Sequence, residues 1–297
     1  NLERNFLDYV DFRQQVLSRC KYLSGKPDNR HSVFGRAKFV KIVCWQTCRD
    51  FCSFAAMKHV LMANGRQIVT QINGRAGKLP LVLLHGFCED HSVWDSFLSL
   101  LKGLRVIRVN RPGFGGSELP ASPGMDSYAD AVCAVLNDLG ISRCVMVGHS
   151  MGGYATLAFA EKYPERLAGF GLFHSHSLPD GPVQIENRLR GIALLEEGKK
   201  AAYVAQLFPT LFAPEFARLH PELVAQLVAR GRRQSTEGII AALQGMMERP
   251  DRTAVLAAAK VPVLFLLGEL DHFVPAAHRE IMLPLPSLAH IHLLPGV

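Results

Sequence analysis

Apolar and polar positions follow two alternating rhythms from residue 57 to the end of the chain. Lys58-His59-Val60-Leu61-Met62-Ala63 and Gln67-Ile68-Val69-Thr70-Gln71-Ile72 flank Asn64-Gly65, a dipeptide that favours the turn of a β-hairpin. Leu81-Val82-Leu83-Leu84 is continuously apolar, as a strand covered on both faces should be. Residues 92–101 then carry Val93, Trp94, Phe97, Leu98 and Leu101 at helical spacing. The exchange repeats with a strand over 105–109, a helix over 128–139, a strand over 143–147, a small-residue helix over 154–160 and a strand over 167–173. This alternation predicts an α/β fold class, a mostly parallel sheet flanked by helices.

Between about residues 179 and 249 the strand rhythm disappears and only helical stretches remain, over 185–195, 201–208, 221–231 and 238–248. A helical insertion at that point would lie over the C-terminal edge of the sheet, where open α/β folds bind their ligands. Leu207, Phe208, Leu211, Phe212 and Met246 are candidates to line a pocket there, although helix packing alone accounts for residues of this type. The α/β rhythm resumes with a helix over 254–260 and strands over 263–268 and 288–294. The expected layout is therefore a core of residues 57–178 and 250–297 with a helical cap over about 179–249.

Residues 1–56 show no sustained period and are expected to be an extension outside the folded domain, with Met57 as the natural start. They carry ten Lys/Arg against five Asp/Glu, so +5 of the net charge of +7 lies there. That distribution argues against a nucleic-acid partner for the domain. Cys44, Cys48 and Cys52 repeat every fourth residue, a spacing that matches neither zinc nor iron–sulfur patterns, and no metal is expected. Cys88, Cys133 and Cys144 are scattered and read as buried small hydrophobes of a reducing, cytoplasmic compartment. No run of eighteen apolar residues occurs, so no membrane partner is expected.

Chemistry concentrates in Gly148-His149-Ser150-Met151-Gly152-Gly153, which follows a strand-like run and precedes a small-residue helix. This is the sequence form of a nucleophile elbow, in which a strained strand-to-helix turn presents a serine hydroxyl above the sheet. His85-Gly86-Phe87 ends an earlier strand, where glycine allows a turn that brings the N–H of Phe87 toward the N–H of Met151. Arg111-Pro112-Gly113-Phe114-Gly115-Gly116-Ser117 is a tight polar turn; Ser117-Glu118-Leu119-Pro120 blocks the helix that a phosphate loop needs. Glu269-Leu270-Asp271 stands at the end of a buried strand, a place from which a carboxylate can orient a histidine beside the serine.

Together with Gly268, these four motifs, in this order and with a cap between serine and acid, resemble the α/β-hydrolase superfamily over residues 57–297. The resemblance implies Ser150 as nucleophile, Asp271 as triad acid and the backbone N–H groups of Phe87 and Met151 as oxyanion donors. It implies a cofactor-free serine hydrolase cleaving a carboxylic ester or related small acyl compound. Serine at the elbow argues against the aspartate-dependent dehalogenases and epoxide hydrolases of similar sequence. Carbon–carbon bond hydrolysis, perhydrolase or haloperoxidase-like chemistry, and a non-catalytic binding protein are the alternatives. Asn110 replaces a frequent aspartate, a minor change in turn capping. The resemblance also implies a histidine base just after the last strand, which is expected beyond Val297. His272, His278, His290 and His292 are poorly placed to replace it, His85 and His149 are expected to bond structurally, and His174 and His176 are possible pocket residues. Asp180 is the second candidate for the acid.

Overall fold

A computed structural model describes residues 57–297 apart from Asn64, Lys78 and Ala121. The expectations for residues 1–56, with their cysteine spacing, and for Asn64 in the hairpin turn lie outside the described residues. Eight strands form one sheet in the order β1-β2-β4-β3-β5-β6-β7-β8. They are β1 Met57–Ala63, β2 Arg66–Asn73, β3 Leu81–Leu84, β4 Val106–Val109, β5 Cys144–His149, β6 Leu167–Phe173, β7 Val263–Gly268 and β8 Ala289–Leu294. The pairs β1–β2 and β2–β4 are antiparallel, and every other neighbouring pair is parallel. The α/β class read from the alternation is therefore the observed one, with the hairpin at the antiparallel edge.

The continuous apolar run of β3 sits in the middle of the sheet, and its four residues are at most 1% exposed. Burying each such side chain stabilises the fold by roughly 1.5–3 kcal/mol relative to exposure. On one face Val82, Leu84, Ile107, Met146 and Phe265 join helices α1 (Met125–Asp138) and α2 (Met151–Lys162) in the larger core. On the other face Leu81, Leu83, Val106, Val145 and Val147 pack with Trp94 and Leu101. That second cover is a 3₁₀ helix, His91–Leu100, rather than the α-helix expected over 92–101. Trp94 and Phe97 stand three residues apart, and the threefold repeat of a 3₁₀ helix keeps them on one side, with ring centroids 5.7 Å apart.

The insertion after β6 consists of α3 Pro182–Glu196, α4 Lys200–Leu207, α5 Pro214–Leu219, α6 Pro221–Arg232 and α7 Thr236–Met247. Helices α8 (Thr253–Ala257) and α9 (Ala276–Met282) belong to the core. Helix α5 was not predicted, because six residues are too few for a hydrophobic period to show. Of the five candidate lining residues, Phe208 and Met246 are buried in the core, Leu207 and Phe212 are partly buried against it, and Leu211 is exposed. Cys88, Cys133 and Cys144 are buried. Among the described residues no helix is long and apolar enough to cross a membrane.

Parallel pairing gathers the strand ends. Leu84 lies opposite Gly148, His149 opposite Phe173, and Phe173 opposite Leu266. The residues that follow, His85 to Phe87, Ser150, His174 and Glu269 to Asp271, thus share one edge of the sheet.

Candidate active site

Ser150 occupies φ 50°, ψ −119°, a left-handed backbone conformation that a side chain adopts only under constraint. The constraint comes from both sides. Its N–H donates to Phe173 O at 2.8 Å, and its C=O accepts from Gly153 N at 2.8 Å. The turn also brings α2 against β5 and β3 so closely that no Cβ fits at Gly148 or Gly152. A methyl group on Gly152 would stand 2.5 Å from Leu84 O and 2.8 Å from His85 O, and one on Gly148 would strike the Gly152 backbone. The glycine spacing in the sequence is thus the imprint of a helix start pressed onto two strand ends.

Met151 is fully buried as the first residue of α2, where helical N–H groups have no partner within the helix. Among the described residues neither its N–H nor that of Phe87 has a protein acceptor. The Phe87 ring is held by Tyr203 of α4 at 6.4 Å, edge to face, so the cap reaches over this turn.

Asp271 closes the turn after β7. Its Oδ1 accepts from the N–H of Phe273 at 2.9 Å and of Val274 at 3.3 Å, and its Oδ2 lies 2.8 Å from His174 Nδ1. Burial pushes the Asp271 carboxyl upward, but the hydrogen bond and charge of His174, with the two N–H groups, outweigh it and hold the carboxyl below its ordinary value. His174 stands one residue beyond β6, immediately after the Phe173 carbonyl that holds Ser150 N, at φ 47°. With Nδ1 on the carboxylate, its Nε2 is left to face other groups. Sequence placed His174 only among pocket residues; an isolated histidine after a strand carries no sign of a carboxylate ninety-seven positions away.

Asp180, the second candidate acid, has a different setting. Arg188 Nε and Arg249 Nη1 both bond its carboxylate, the latter at 2.8 Å, and the side chain is 2% exposed. Burial opposes its charge, and the Arg188 hydrogen bond with the Arg249 charge overcomes that opposition. Both lone-pair faces of Asp180 are occupied by arginines.

His176 is buried, with Nδ1 accepting from Leu178 N at 3.2 Å, which leaves its proton on Nε2, 3.1 Å from Tyr154 Oη. Burial, the Arg249 charge and His278 lower its pKa to about 3. It packs at the seam between cap and core rather than on the serine. His278 lies on α9 against the His176 ring, His290 and His292 lie in β8, and His272 stacks on Phe273. The expected base beyond Val297 lies outside the described residues. Asn110 spans its turn as a cap should, donating to Gly115 O at 2.7 Å and accepting from His91 N at 2.7 Å.

Two charged residues that sequence left without a role lie directly behind the Phe87 turn. Arg111 is 0% exposed and donates from Nη2 to Gly86 O at 2.6 Å. Glu89 is 6% exposed; its Oε2 accepts from Gly86 N at 2.6 Å and lies 3.1 Å from His149 Nδ1. Their only sequence signal is a charge set among residues that must be buried, Val109 and Phe114 for Arg111 and Cys88 for Glu89.

Known proteins are similar to this chain in sequence and in fold. A 2-hydroxy-6-oxononadienedioate/2-hydroxy-6-oxononatrienedioate hydrolase from Burkholderia vietnamiensis is 31% identical over 236 residues, covering 74% of this chain and 81% of that protein. The counterpart from Paraburkholderia phymatum is 32% identical with the same coverage. A thermophilic esterase from Thermogutta terrifontis superposes with a TM-score of 0.73 at 32% identity, over 81% of this chain and 90% of its own. The family described as the α/β hydrolase fold matches residues 80–282, and this chain belongs to it as a hydrolase.

Proposed function

We propose that the chain is a serine hydrolase that cleaves a carboxylic ester or a related small acyl compound through an acyl-enzyme on Ser150. The observation that carries this is Ser150 at φ 50° on a strained strand-to-helix turn, with the N–H of the next residue, Met151, and that of Phe87 lacking a protein acceptor among the described residues. Ser150 Oγ adds to the substrate carbonyl carbon, the C=O π pair moves to oxygen, and the hydroxyl proton passes to an imidazole Nε2. The oxyanion accepts from the two N–H groups, then collapses and expels the alcohol, which takes the proton back from the imidazole. Water repeats the sequence on the acyl-enzyme, releasing the acid and restoring Ser150. The chemistry calls for no cofactor.

Asp271 is the carboxylate we assign to orient the imidazole. His174 is the ring that meets it among the described residues, and what supports His174 as base is that contact together with its place immediately after the Phe173 carbonyl that holds Ser150 N. A histidine after the last strand, as the family resemblance implies, would compete for the same carboxylate. Substitution His174→Gln separates the two. A loss of turnover on the order of 100-fold or more assigns the proton to His174, and retained turnover takes that role away from it.

Hydrolysis of a carbon–carbon bond is the second reading, favoured by the two relatives named as hydrolases of 2-hydroxy-6-oxo dienedioates and trienedioates, compounds that hold a ketone and no ester. It uses the same serine and oxyanion site on a ketone carbonyl. Aryl esters of rising acyl length, assayed beside a vinylogous diketone, decide between them. Faster turnover of the esters supports the first reading, and a preference for the diketone replaces it with the second.

A further inference from the structure

The reading above gives the N–H of the Gly86–Phe87 peptide unit to the oxyanion; a trans peptide turns its C=O to the opposite side, and Gly86 is buried. That carbonyl accepts two hydrogen bonds, from Arg111 Nη2 at 2.6 Å and from His85 Nδ1 at 2.9 Å. His85 is wholly buried, and its Nε2 accepts the Arg111 backbone N–H at 3.2 Å, so the ring is neutral with its proton on Nδ1. Burial and the Arg111 charge keep it so by lowering its pKa well below the ordinary value. On the preceding peptide, the N–H of Gly86 is tied to the Glu89 carboxylate at 2.6 Å. Gly86 is thus fixed by a cation on its oxygen and an anion on its nitrogen, and neither flanking peptide can flip without breaking a charge-assisted bond.

Arg111 is an expensive residue to keep here. It is 0% exposed, and among the described residues its Nε and Nη1 lack partners and no carboxylate reaches it within ion-pair distance. The rings of Phe114 and Tyr128 lie 5.6 and 5.7 Å from its guanidinium carbon. Burial lowers its pKa to about 10, so it stays a cation at neutral pH. A buried charge with so few partners needs a reason beyond packing.

We propose that Arg111 is a positioning residue for the oxyanion site: by donating to Gly86 O it aims and polarises the single peptide unit whose N–H, that of Phe87, receives the developing negative charge. This rests on the serine-hydrolase reading above. A peptide whose oxygen accepts from a cation carries more positive charge on its N–H, and in a low-dielectric interior that polarisation is not damped by water. Glu89 lies on the other side of Gly86 and offsets the long-range field of Arg111, so the effect acts through the contact with Gly86 O. It is largest when the substrate oxygen becomes anionic, which places it in the transition state rather than in substrate binding.

The test uses the protein carrying Arg111→Met, Arg111→Lys and His85→Gln, each with its thermal midpoint measured. A fluorophosphonate probe reports first on the parent protein. Ser150 Oγ bonds to phosphorus, fluoride leaves, the serine proton passes to the base, and mass spectrometry locates the adduct. A parent protein that takes no label at Ser150 overturns the serine-hydrolase reading itself. With labelling established, Arg111→Met is expected to lower kcat for aryl esters 10- to 100-fold with KM within about threefold, the size seen when outer-shell partners of a reacting group are removed. Affinity for a boronate that forms a tetrahedral adduct on Ser150 should fall by the same factor, while affinity for the carboxylic acid product stays level. Arg111→Lys, able to donate to the same oxygen, should recover part of kcat. Should Arg111→Met fail to fold, Arg111→Lys and His85→Gln carry the test through their own kcat against KM and boronate against product affinities. Labelled, folded variants with unchanged kcat, or with equal losses of product and boronate affinity, would overturn the role given to Arg111.

Discussion

The sheet edge and the cap that reaches over it are held together by different means. At the edge, backbone packs on backbone: the start of α2 presses on the ends of β3 and β5, Ser150 hangs between Phe173 O and Gly153 N, and Asp271 is tied by two N–H groups of its own turn. Among the described residues of the cap, α7 alone meets the core backbone to backbone, at Gly238 on Gly113 and Gly245 on Gly124, and elsewhere side chains make the joins. Arg188 and Arg249 clasp Asp180, Gln234 Oε1 accepts from Gly115 N at 3.0 Å, and Tyr203 rests on Phe87. Backbone joins fix position to fractions of an ångström, as a reaction centre needs. Side-chain joins tolerate exchange, which suits a surface that sets specificity.

Ser150 is the point at which the edge should be most sensitive to substitution. Ser150→Ala is expected to remove ester turnover by about five orders of magnitude while leaving the fold intact, since the new methyl occupies the place of the lost hydroxymethyl. Residual activity within tenfold of the parent, measured on aryl esters with the protein's thermal midpoint unchanged, would move the reaction away from the edge altogether.

The two carboxylates sharpen the contrast between edge and cap next. Asp271→Asn should lower kcat by roughly 10²–10⁴ with little change in stability, because an amide still accepts from Phe273 N but holds an imidazole in the wrong tautomer. Asp180→Asn should do the reverse. It leaves two arginines facing a neutral group in a buried site, costing about 3–5 kcal/mol of stability, with kcat of the folded fraction within about threefold. Urea unfolding and initial rates on both variants check this. Equal loss of kcat in the two would show that sequence and geometry chose the acid wrongly.

These contrasts also explain what was legible in the sequence. Val263 to Gly268 and Leu81 to Leu84 could be bounded from sequence alone, because strands buried on both faces admit little but apolar residues. The elbow was legible for a related reason: the close approach at Gly148 and Gly152 allows one residue type, and that restriction is written as a spacing. The Asp271–His174 contact and the Arg111–Gly86 bond were not legible. Each joins segments far apart in the chain, and at each end many residue types fold equally well, so no local pattern marks them. The 3₁₀ form of residues 91–100 was hidden because its i, i+3 pairs read equally as an α-helix.

Glycines test the difference between backbone and side-chain joins directly. Gly152→Ala puts a methyl 2.5 Å from Leu84 O, where the backbone at the end of β3 would have to move, and is expected to cost about 3 kcal/mol or more. Gly231→Ala, in α6 of the cap, meets Phe208 Cε2 at 2.5 Å and Val204 Cγ1 at 2.8 Å. Those are side-chain atoms of two buried residues, which can shift by a few tenths of an ångström more easily than a strand backbone, so a cost of about 1 kcal/mol is expected after the gain in helix propensity. Chemical unfolding of the pair should separate them by about 2 kcal/mol; equal costs would erase the distinction drawn between edge and cap.

The seam between the two regions should respond to acid through His176. In the folded protein its pKa is lowered to about 3, whereas the unfolded chain binds that proton near the ordinary histidine value of about 6.5. Between these values the unfolded state holds more protons, so stability falls as pH falls, and the loss is complete only below pH 3. From pH 7.5 to 4.5 this single group accounts for about 2–3 kcal/mol. The lowered carboxyls of Asp180 and Asp271 keep their contributions through that window, because groups with depressed pKa values lose theirs only as pH falls through the carboxylate range. His176→Gln should therefore show a shallower decline than the parent, by the same 2–3 kcal/mol, in urea titrations at the two pH values. Parallel declines would mean that His176 takes its proton without unfolding. The ring would then have to reach water at the seam, and the cap would have to open there on its side-chain joins while the backbone-held edge stayed closed.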